Sequence, residues 1–339
     1  MSAVPLAEAT SPPERRGIAR DAVRLLVGRP GGVEHAIFRD LPGLLAPGDL
    51  LVVNTSATLP AALDAVGPGG RLLRMHLSTP APGSGRADGL WMVELRVPAG
   101  PGSLPFDAAR RGWRLALPGG GRARLLRGGP RLWRARLEVP VGLHEFLEAH
   151  GRPIRYAYAG ADWPIEDYQT VFATVPGSAE MPSAARGFTP ELVVELVAAG
   201  IEIAPIVLHT GVSSPETGEP PFPEWFRVPE ATARHVNAVR AGGGRVVAVG
   251  TTAVRALETV AGEDRVVAAG EGWTELVIDE ARGVRAVDGI LTGWHAPEAT
   301  HIDLVRAVAG RDIVERSYAA ATASRYLWHE FGDLNLLLP

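Results

Sequence analysis

The run Val246-Val247-Ala248-Val249-Gly250-Thr251-Thr252-Ala253-Val254-Arg255-Ala256-Leu257-Glu258 decides how the chain reads. Four consecutive apolar residues predict a buried strand, and Gly250 permits a sharp turn after it. Thr251 or Thr252 is placed to cap a following helix, whose apolar stripe is Val254, Leu257 and Ala261. A glycine turn feeding a helix start presents free backbone N–H groups at the positive end of the helix dipole. Arg255 adds a planar fork of donors near that end. Such a corner suits a carboxylate or a phosphate. The alternative is a plain strand-to-helix turn, with Arg255 paired to Glu258 on the helix surface.

Working outward, alternation of strand and helix patterns continues through this half of the chain. Thr189-Pro190 opens a helix with Thr as N-cap and Pro in the first position, Gly200 closes it, and Leu192, Val193, Leu196 and Val197 form its buried face. A strand over 201–208 ends in His209-Thr210-Gly211, and 229–241 reads as a helix stopped by three glycines. Further strands are expected at Leu276-Val277-Ile278 and at 289–292, the latter followed by His295, and helices over 298–309 and 312–326. Towards the N-terminus, strands are expected at Val23–Val27, His35–Phe38 and Leu50–Asn54, with a short helical piece at 41–45. Residues 1–19 carry no periodicity and read as partly disordered or draped on the surface. The pattern predicts an α/β layer with a mostly parallel sheet. In such sheets ligands sit beyond the carboxyl ends of strands, so His209, Thr251 and His295 are expected to converge on one edge.

The texture differs between residues 61 and 140. Short strand-like runs at 71–77, 90–97, 113–117, 122–127 and 132–139 are separated by Gly/Pro clusters, which predicts an all-β barrel-like domain inserted into the α/β domain of residues 1–60 and 141–339. No acidic residue lies between Asp107 and Glu138, whereas nine arginines do: 110, 111, 114, 122, 124, 127, 131, 134 and 136. Such a module either touches RNA phosphates or is the solvated face of strands.

Composition narrows the chemistry. The 339 residues are 46% hydrophobic and 21% charged, with a formal net charge of −4, so no global basic field draws in nucleic acid. Every cation is Arg; the absence of Lys excludes a Schiff-base or lysine-base mechanism. With no Cys there is no disulfide, thiol nucleophile or thiolate-held metal. No apolar run has membrane-spanning length and the N-terminus does not read as a signal peptide, which leads us to expect a cytoplasmic protein without membrane contact. Oligomeric state is not legible.

Several runs in order and at matching spacing then carry a resemblance. They are Arg20–Leu26, Gly48–Asn54, Tyr168-Gln169-Thr170-Val171-Phe172-Ala173, Phe188–Leu192, His209-Thr210-Gly211, Gly250–Glu258, Val287–Thr292, His295-Ala296-Pro297 and Phe331-Gly332-Asp333. Over nearly its whole length the chain resembles the S-adenosylmethionine:tRNA ribosyltransferase-isomerases of queuosine biosynthesis. The resemblance implies an α/β domain with an inserted β-barrel. It implies transfer of the ribosyl part of S-adenosylmethionine onto an aminomethyl-deazaguanine in tRNA, with loss of adenine and methionine, and no metal.

Against that family, the run Asn-Asp-Thr-Arg-Val-Ile-Pro-Ala-Arg reads here Asn54–Ala62 without its Asp and both arginines, and Gly187 and Pro221-Phe222-Pro223 stand where histidine-containing runs are expected. Two alternatives therefore stay open: a divergent relative that uses S-adenosylmethionine on a small-molecule acceptor, and a non-catalytic binding protein. That chemistry calls for a base, a carboxylate holder and donors for the leaving adenine, and we expect the following roles. Thr251, Thr252 and Arg255 hold the methionyl carboxylate. His209 or His295 moves the proton, with Glu224 or Asp288 as the alternative base. Tyr168 and Gln169 frame the base, unless Tyr168 packs on Phe172. Asp333 orients a histidine or a ribose hydroxyl, or caps a turn. The Arg-rich stretch 110–136 meets tRNA.

Overall fold

In a computed structural model of the chain, residues 7–84, 88–99, 102–129, 131–156, 160–212, 221–295 and 301–339 are described. Two sheets organise them. The larger has nine strands in the order Gly270–Thr274, Glu224–Val228, Glu202–Leu208, Leu50–Asn54, Val246–Val249, Gly289–Gly293, Leu334–Leu337, Arg24–Arg29, Gly32–Ile37. Its centre is parallel: Glu202–Leu208, Leu50–Asn54, Val246–Val249 and Gly289–Gly293 run the same way. The flanks bring antiparallel strands, Glu224–Val228 beside Glu202–Leu208 and Leu334–Leu337 beside Gly289–Gly293.

The central strands are apolar on both faces because helices cover both. Leu50, Val52, Val246 and Ala248 pack under the helices Glu230–Ala241, Thr251–Thr259, His301–Ala309 and Arg311–Ala323. Leu51, Val53, Val247 and Val249 pack on the other side against Phe38, Leu41, Phe188, Leu192 and Leu196. A strand buried this way reads as a continuous apolar run without alternation.

Strands Ala62–Val66, Leu72–Pro80, Leu90–Ala99, Arg114–Ala116, Arg122–Gly128 and Leu132–Glu138 form the second sheet, all antiparallel, with Gly102–Pro105 added as a hairpin on Leu90–Ala99. Leu132–Glu138 pairs back onto Leu90–Ala99, which closes a barrel. Leu63, Met75, Val93, Leu95, Leu125 and Ala135 fill its interior. The next residues along two strands, His76 and Glu94, lie on the barrel's outer side and are nevertheless fully buried.

Several local expectations are corrected. Leu276–Ile278 forms no strand; the edge strand is Gly270–Thr274. The last long helix ends at Ala323, after which Arg325 takes φ 53° and Tyr326 leads into a short strand, Leu327–Trp328. That strand pairs with Ala7–Glu8, so this part of the N-terminus is fixed to the body. Thr189 Oγ1 does accept from Leu192 N at 3.1 Å, but Val197 is 60% exposed and leaves the buried face to Leu192 and Leu196. Residues 1–6, 213–220 of the proline-rich loop, and 296–300 at the expected start of a helix lie outside the described residues.

Candidate functional site at the strand ends

The parallel strands set one edge of the sheet. His209 follows Leu208, Ser56 lies just beyond Asn54, Gly250 follows Val249 and His295 lies just beyond Gly293. Antiparallel neighbours reach the same edge by their entries, which brings Glu224 and the segment 329–333 to it. A cavity of about 940 Å³ opens there. The α/β domain supplies Thr251, Thr252, Arg255, Glu224 and His295 to its wall; the barrel supplies Arg96, Ser103 and Leu104.

At the corner, Gly250 takes φ 90°, and no side chain caps the helix Thr251–Thr259, contrary to the expectation for Thr251 or Thr252. Thr252 Oγ1 is instead buried without a hydrogen-bond partner among the described residues. The helix start thus keeps its first N–H groups free of a side-chain cap, at a corner whose residues line the cavity. Arg255 is buried, and its partner is not Glu258. Its guanidinium pairs with the Glu224 carboxylate and donates to the carbonyl oxygens of Leu276 and Thr274, both at 3.3 Å. Glu258 is taken by Arg282 at 2.9 Å and by the N–H groups of Arg285 and Ala286 at 2.7 Å. Burial raises the Glu224 carboxyl above its ordinary value, and the charge of Arg255 and the Gly211 N–H offset this in part.

The histidines differ in kind. His209 is 2% exposed; its Nδ1 lies 2.7 Å from Ser56 Oγ, and its ring stacks on Trp225 at 5.2 Å. It stands behind the cavity wall, which is formed there by Thr210, Gly211 and Val212. His295 lines the cavity, with Nε2 3.1 Å from Thr292 Oγ1 and its ring stacked on His301 at 4.9 Å. Burial, followed by His301 and His329, pushes its pKa down to about 3. It is therefore a neutral ring at neutral pH, able to donate or accept hydrogen bonds but weak as a proton acceptor.

The other expected residues are not brought to the cavity. Asp288 precedes its parallel strand and so lies at the opposite edge, where Oδ2 accepts from Val246 N at 3.0 Å. Gln169 spends its amide on Thr58, accepting from its N–H at 3.0 Å and donating to its carbonyl at 2.8 Å. Tyr168 packs edge-on to Phe331 at 5.1 Å, whereas Phe172 packs on Phe188. Asp333 accepts from Arg24 N at 2.9 Å and Leu327 N at 2.7 Å and ties two strands together.

Sequence reasoning missed Glu180, Glu330, Trp294 and His301, all of which line the cavity. The available signal was the pair His329-Glu330 directly before Phe331-Gly332-Asp333, two titratable residues at the entry to an apolar strand.

The barrel carries a second feature. Arg114 stands opposite Arg124, and Arg124 opposite Arg136, across three neighbouring strands; Arg127 stands opposite Arg134. Four of the five side chains are exposed and Arg134 is half-buried, and none of the five is in an ion pair among the described residues. Like charges directly opposite one another destabilise a sheet, so the row carries a repulsive cost of its own. Arg131, just before the strand Leu132–Glu138, departs from the row: its side chain is largely buried, 3.5 Å from Glu94 and 5.3 Å over the ring of Phe222, a residue of the cavity wall.

Comparison with known proteins agrees with this architecture. Residues 5–337 match the model of the family described as queuosine biosynthesis protein. The chain is 39% identical to the S-adenosylmethionine:tRNA ribosyltransferase-isomerase of Symbiobacterium thermophilum over 342 residues, covering 94% of each. Identity to the protein of the same description from Moorella thermoacetica is also 39%, again covering 94% of each. A crystal structure of S-adenosylmethionine tRNA ribosyltransferase from Thermotoga maritima is similar with a TM-score of 0.52 and 29% identity, over 98% of this chain and 96% of that one.

Proposed function

The chain belongs to the queuosine biosynthesis protein family, and from that premise we propose that it is a ribosyltransferase-isomerase that takes S-adenosylmethionine as ribosyl donor and tRNA as acceptor. The observation that carries the reading is the cavity at the strand ends, walled by both domains, with an open helix start on one side. In this reading the N–H groups of Thr251 and Thr252 hold the methionyl carboxylate, with the Thr252 hydroxyl. Arg255 contributes the guanidinium N–H groups that Glu224 and the two carbonyls leave over. The sulfonium acidifies the C5′ protons, and a group on the wall removes one. Glu224, its carboxyl raised by burial, has more basic capacity at neutral pH than His295. His295 and His301 serve as neutral hydrogen-bonding walls for the leaving purine.

The arginine row is the tRNA surface in this reading. Five arginines on one exterior face, none in an ion pair among the described residues, match a phosphate backbone and offer nothing to a small acceptor.

Release of adenine tests the reading. The protein is incubated with S-adenosylmethionine alone and with tRNA bearing aminomethyl-deazaguanine. Adenine released only in the presence of that tRNA is the expected result. Equal release without tRNA transfers the reaction to another acceptor, a reading that the replaced charges of the run Asn54–Ala62 favour. No release and no binding leaves a non-catalytic protein.

A further inference from the structure

Away from the Arg255 corner, the cavity wall carries two carboxyl groups with no part in the roles above. Glu180 stands two residues after the strand Val175–Ser178, and Glu330 stands before Leu334–Leu337. Glu180 accepts from the Tyr156 hydroxyl, and its main-chain carbonyl accepts from Thr210 Oγ1 at 2.6 Å, which fixes its position. Glu330 Oε1 is buried and has no hydrogen-bond partner among the described residues. Trp294, 3% exposed, lines the same cavity, with an indole N–H that likewise has no acceptor among the described residues.

A buried carboxylate left without a partner costs more free energy than almost any other arrangement of a polar group. The groups that face Glu330 do not supply one. Arg186 offsets part of the cost by its charge, but its donors go to Glu14 and to the carbonyl of Asp167, both at 2.9 Å. Tyr168 lies near enough for Glu330 to raise its hydroxyl further, after burial. His329, the neighbouring residue, lies 3.3 Å from Glu8. Burial, and then the charge of Glu180, push the Glu330 carboxyl up to about 8. Glu330 therefore keeps a proton at neutral pH, and the charge of Glu180 opposes its loss. A cation carrying N–H donors would relieve both the repulsion and the unmet acceptor, and the Trp294 indole adds an aromatic element to the same cavity wall.

We propose that Glu180 and Glu330 form a subsite for a protonated primary amine carried by one of the two substrates. The inference rests on the reading of this cavity as the donor and acceptor site. Two sources share the chemistry: the α-ammonium of S-adenosylmethionine, and the aminomethyl group of the acceptor. Entry of either ammonium displaces the Glu330 proton, so binding is accompanied by proton release near pH 7.

Two probe pairs, measured by calorimetry on the full chain, test it. One is S-adenosylmethionine against its α-hydroxy analogue; the other is aminomethyl-deazaguanine free base against its hydroxymethyl counterpart. In the wild-type protein one pair shows a preference for the amine of roughly tenfold or more, as a charge-assisted hydrogen bond requires, and that pair identifies the source. In Glu330→Gln and Glu180→Gln, both close in shape to the original, the preference falls towards one while affinity for the hydroxy analogue persists. The inference is overturned if neither pair shows a preference in the wild type, or if the preference survives both substitutions. Wild-type protein that binds S-adenosylmethionine without any amine preference removes this inference alone; failure to bind S-adenosylmethionine at all removes the proposed function. The wild-type comparison keeps the test decisive even if a variant folds poorly.

Discussion

Arg255 and Glu224 neutralise one another at the cavity wall, and that pairing governs what substitution there will do. Replacing Arg255 by Ala leaves the largely buried Glu224 with the Gly211 N–H, at 2.9 Å, as its one remaining partner among the described residues. Loss of one member of a buried pair costs about 3–5 kcal/mol, so the unfolding midpoint should fall clearly. Adding Glu224→Gln should restore most of that stability without restoring S-adenosylmethionine affinity; calorimetry showing wild-type affinity in the double variant would remove Arg255 from the donor site. pH separates two other residues by sign. His295 is neutral in the fold down to about 3, whereas its unfolded counterpart takes a proton below about 6.5. Its contribution is therefore complete above 6.5 and drains away as pH falls towards 3. Glu330 runs the other way: it holds its proton in the fold up to about 8, against 4.5 when unfolded, so its contribution is complete below 4.5 and is lost as pH rises through 8. Denaturant titrations across pH should show Glu330→Gln removing the alkaline loss and His295→Gln removing part of the acid loss. At this scale the sequence was legible where a residue follows a parallel strand, as Thr251 and His295 do. It misled where partners are set by tertiary contact. The spacing of Arg255 and Glu258 suggested a helical pair, yet each is drawn inward to a different element.

The helix Thr251–Thr259 depends on its entry more than on its caps. With Gly250 at φ 90°, an added Cβ would meet Ala184 Cβ at 3.3 Å and force an L-residue into a disfavoured conformation. Gly250→Ala should cost about 1–3 kcal/mol and shift the N–H groups that face the cavity, lowering both the unfolding midpoint and S-adenosylmethionine affinity. Thr189→Ala is the matching control: loss of its cap on Leu192 N should cost about 1 kcal/mol and leave that affinity unchanged. Strands explain the remaining misreadings. A search beyond the carboxyl ends of strands finds His209, Gly250 and His295, but Glu330 reaches the same edge as the entry to an antiparallel strand, as Glu224 does, and only the strand order reveals that. Asp288 is the converse, an entry to a parallel strand and hence at the far edge. The barrel itself was legible from its short, evenly punctuated strands, but not the pair that closes it: alternation along Leu132–Glu138 gives its inward face, and nothing local says that it pairs with Leu90–Ala99.

For the whole molecule, both domains wall one cavity, but they arrange their charges differently. The α/β domain provides the Arg255 corner, whose charges cancel, and the barrel provides a row of arginines whose charges do not. Salt should therefore separate the two functions. Arginine–phosphate contact releases counterions, so log affinity falls with log salt by about 0.7 per phosphate neutralised on single strands and about 0.9 on duplex. A surface engaging Arg114, Arg124, Arg127, Arg134 and Arg136 together predicts a steep fall of tRNA affinity with salt, whereas S-adenosylmethionine, held by one corner, should show little dependence. Arg124→Glu sharpens the test because its two effects have opposite sign. It sets an acid between Arg114 and Arg136, turning two repulsive cross-strand pairs into attractive ones, so the unfolding midpoint should stay level or rise. The same substitution should weaken tRNA binding and make the salt slope shallower by about one contact or more. Filter-binding titrations at several salt concentrations, run beside thermal unfolding, read both effects. A variant that is as stable as the wild type and binds tRNA with an unchanged slope would show that the arginine row is only a solvated face, and the acceptor would then have to reach the cavity from another side.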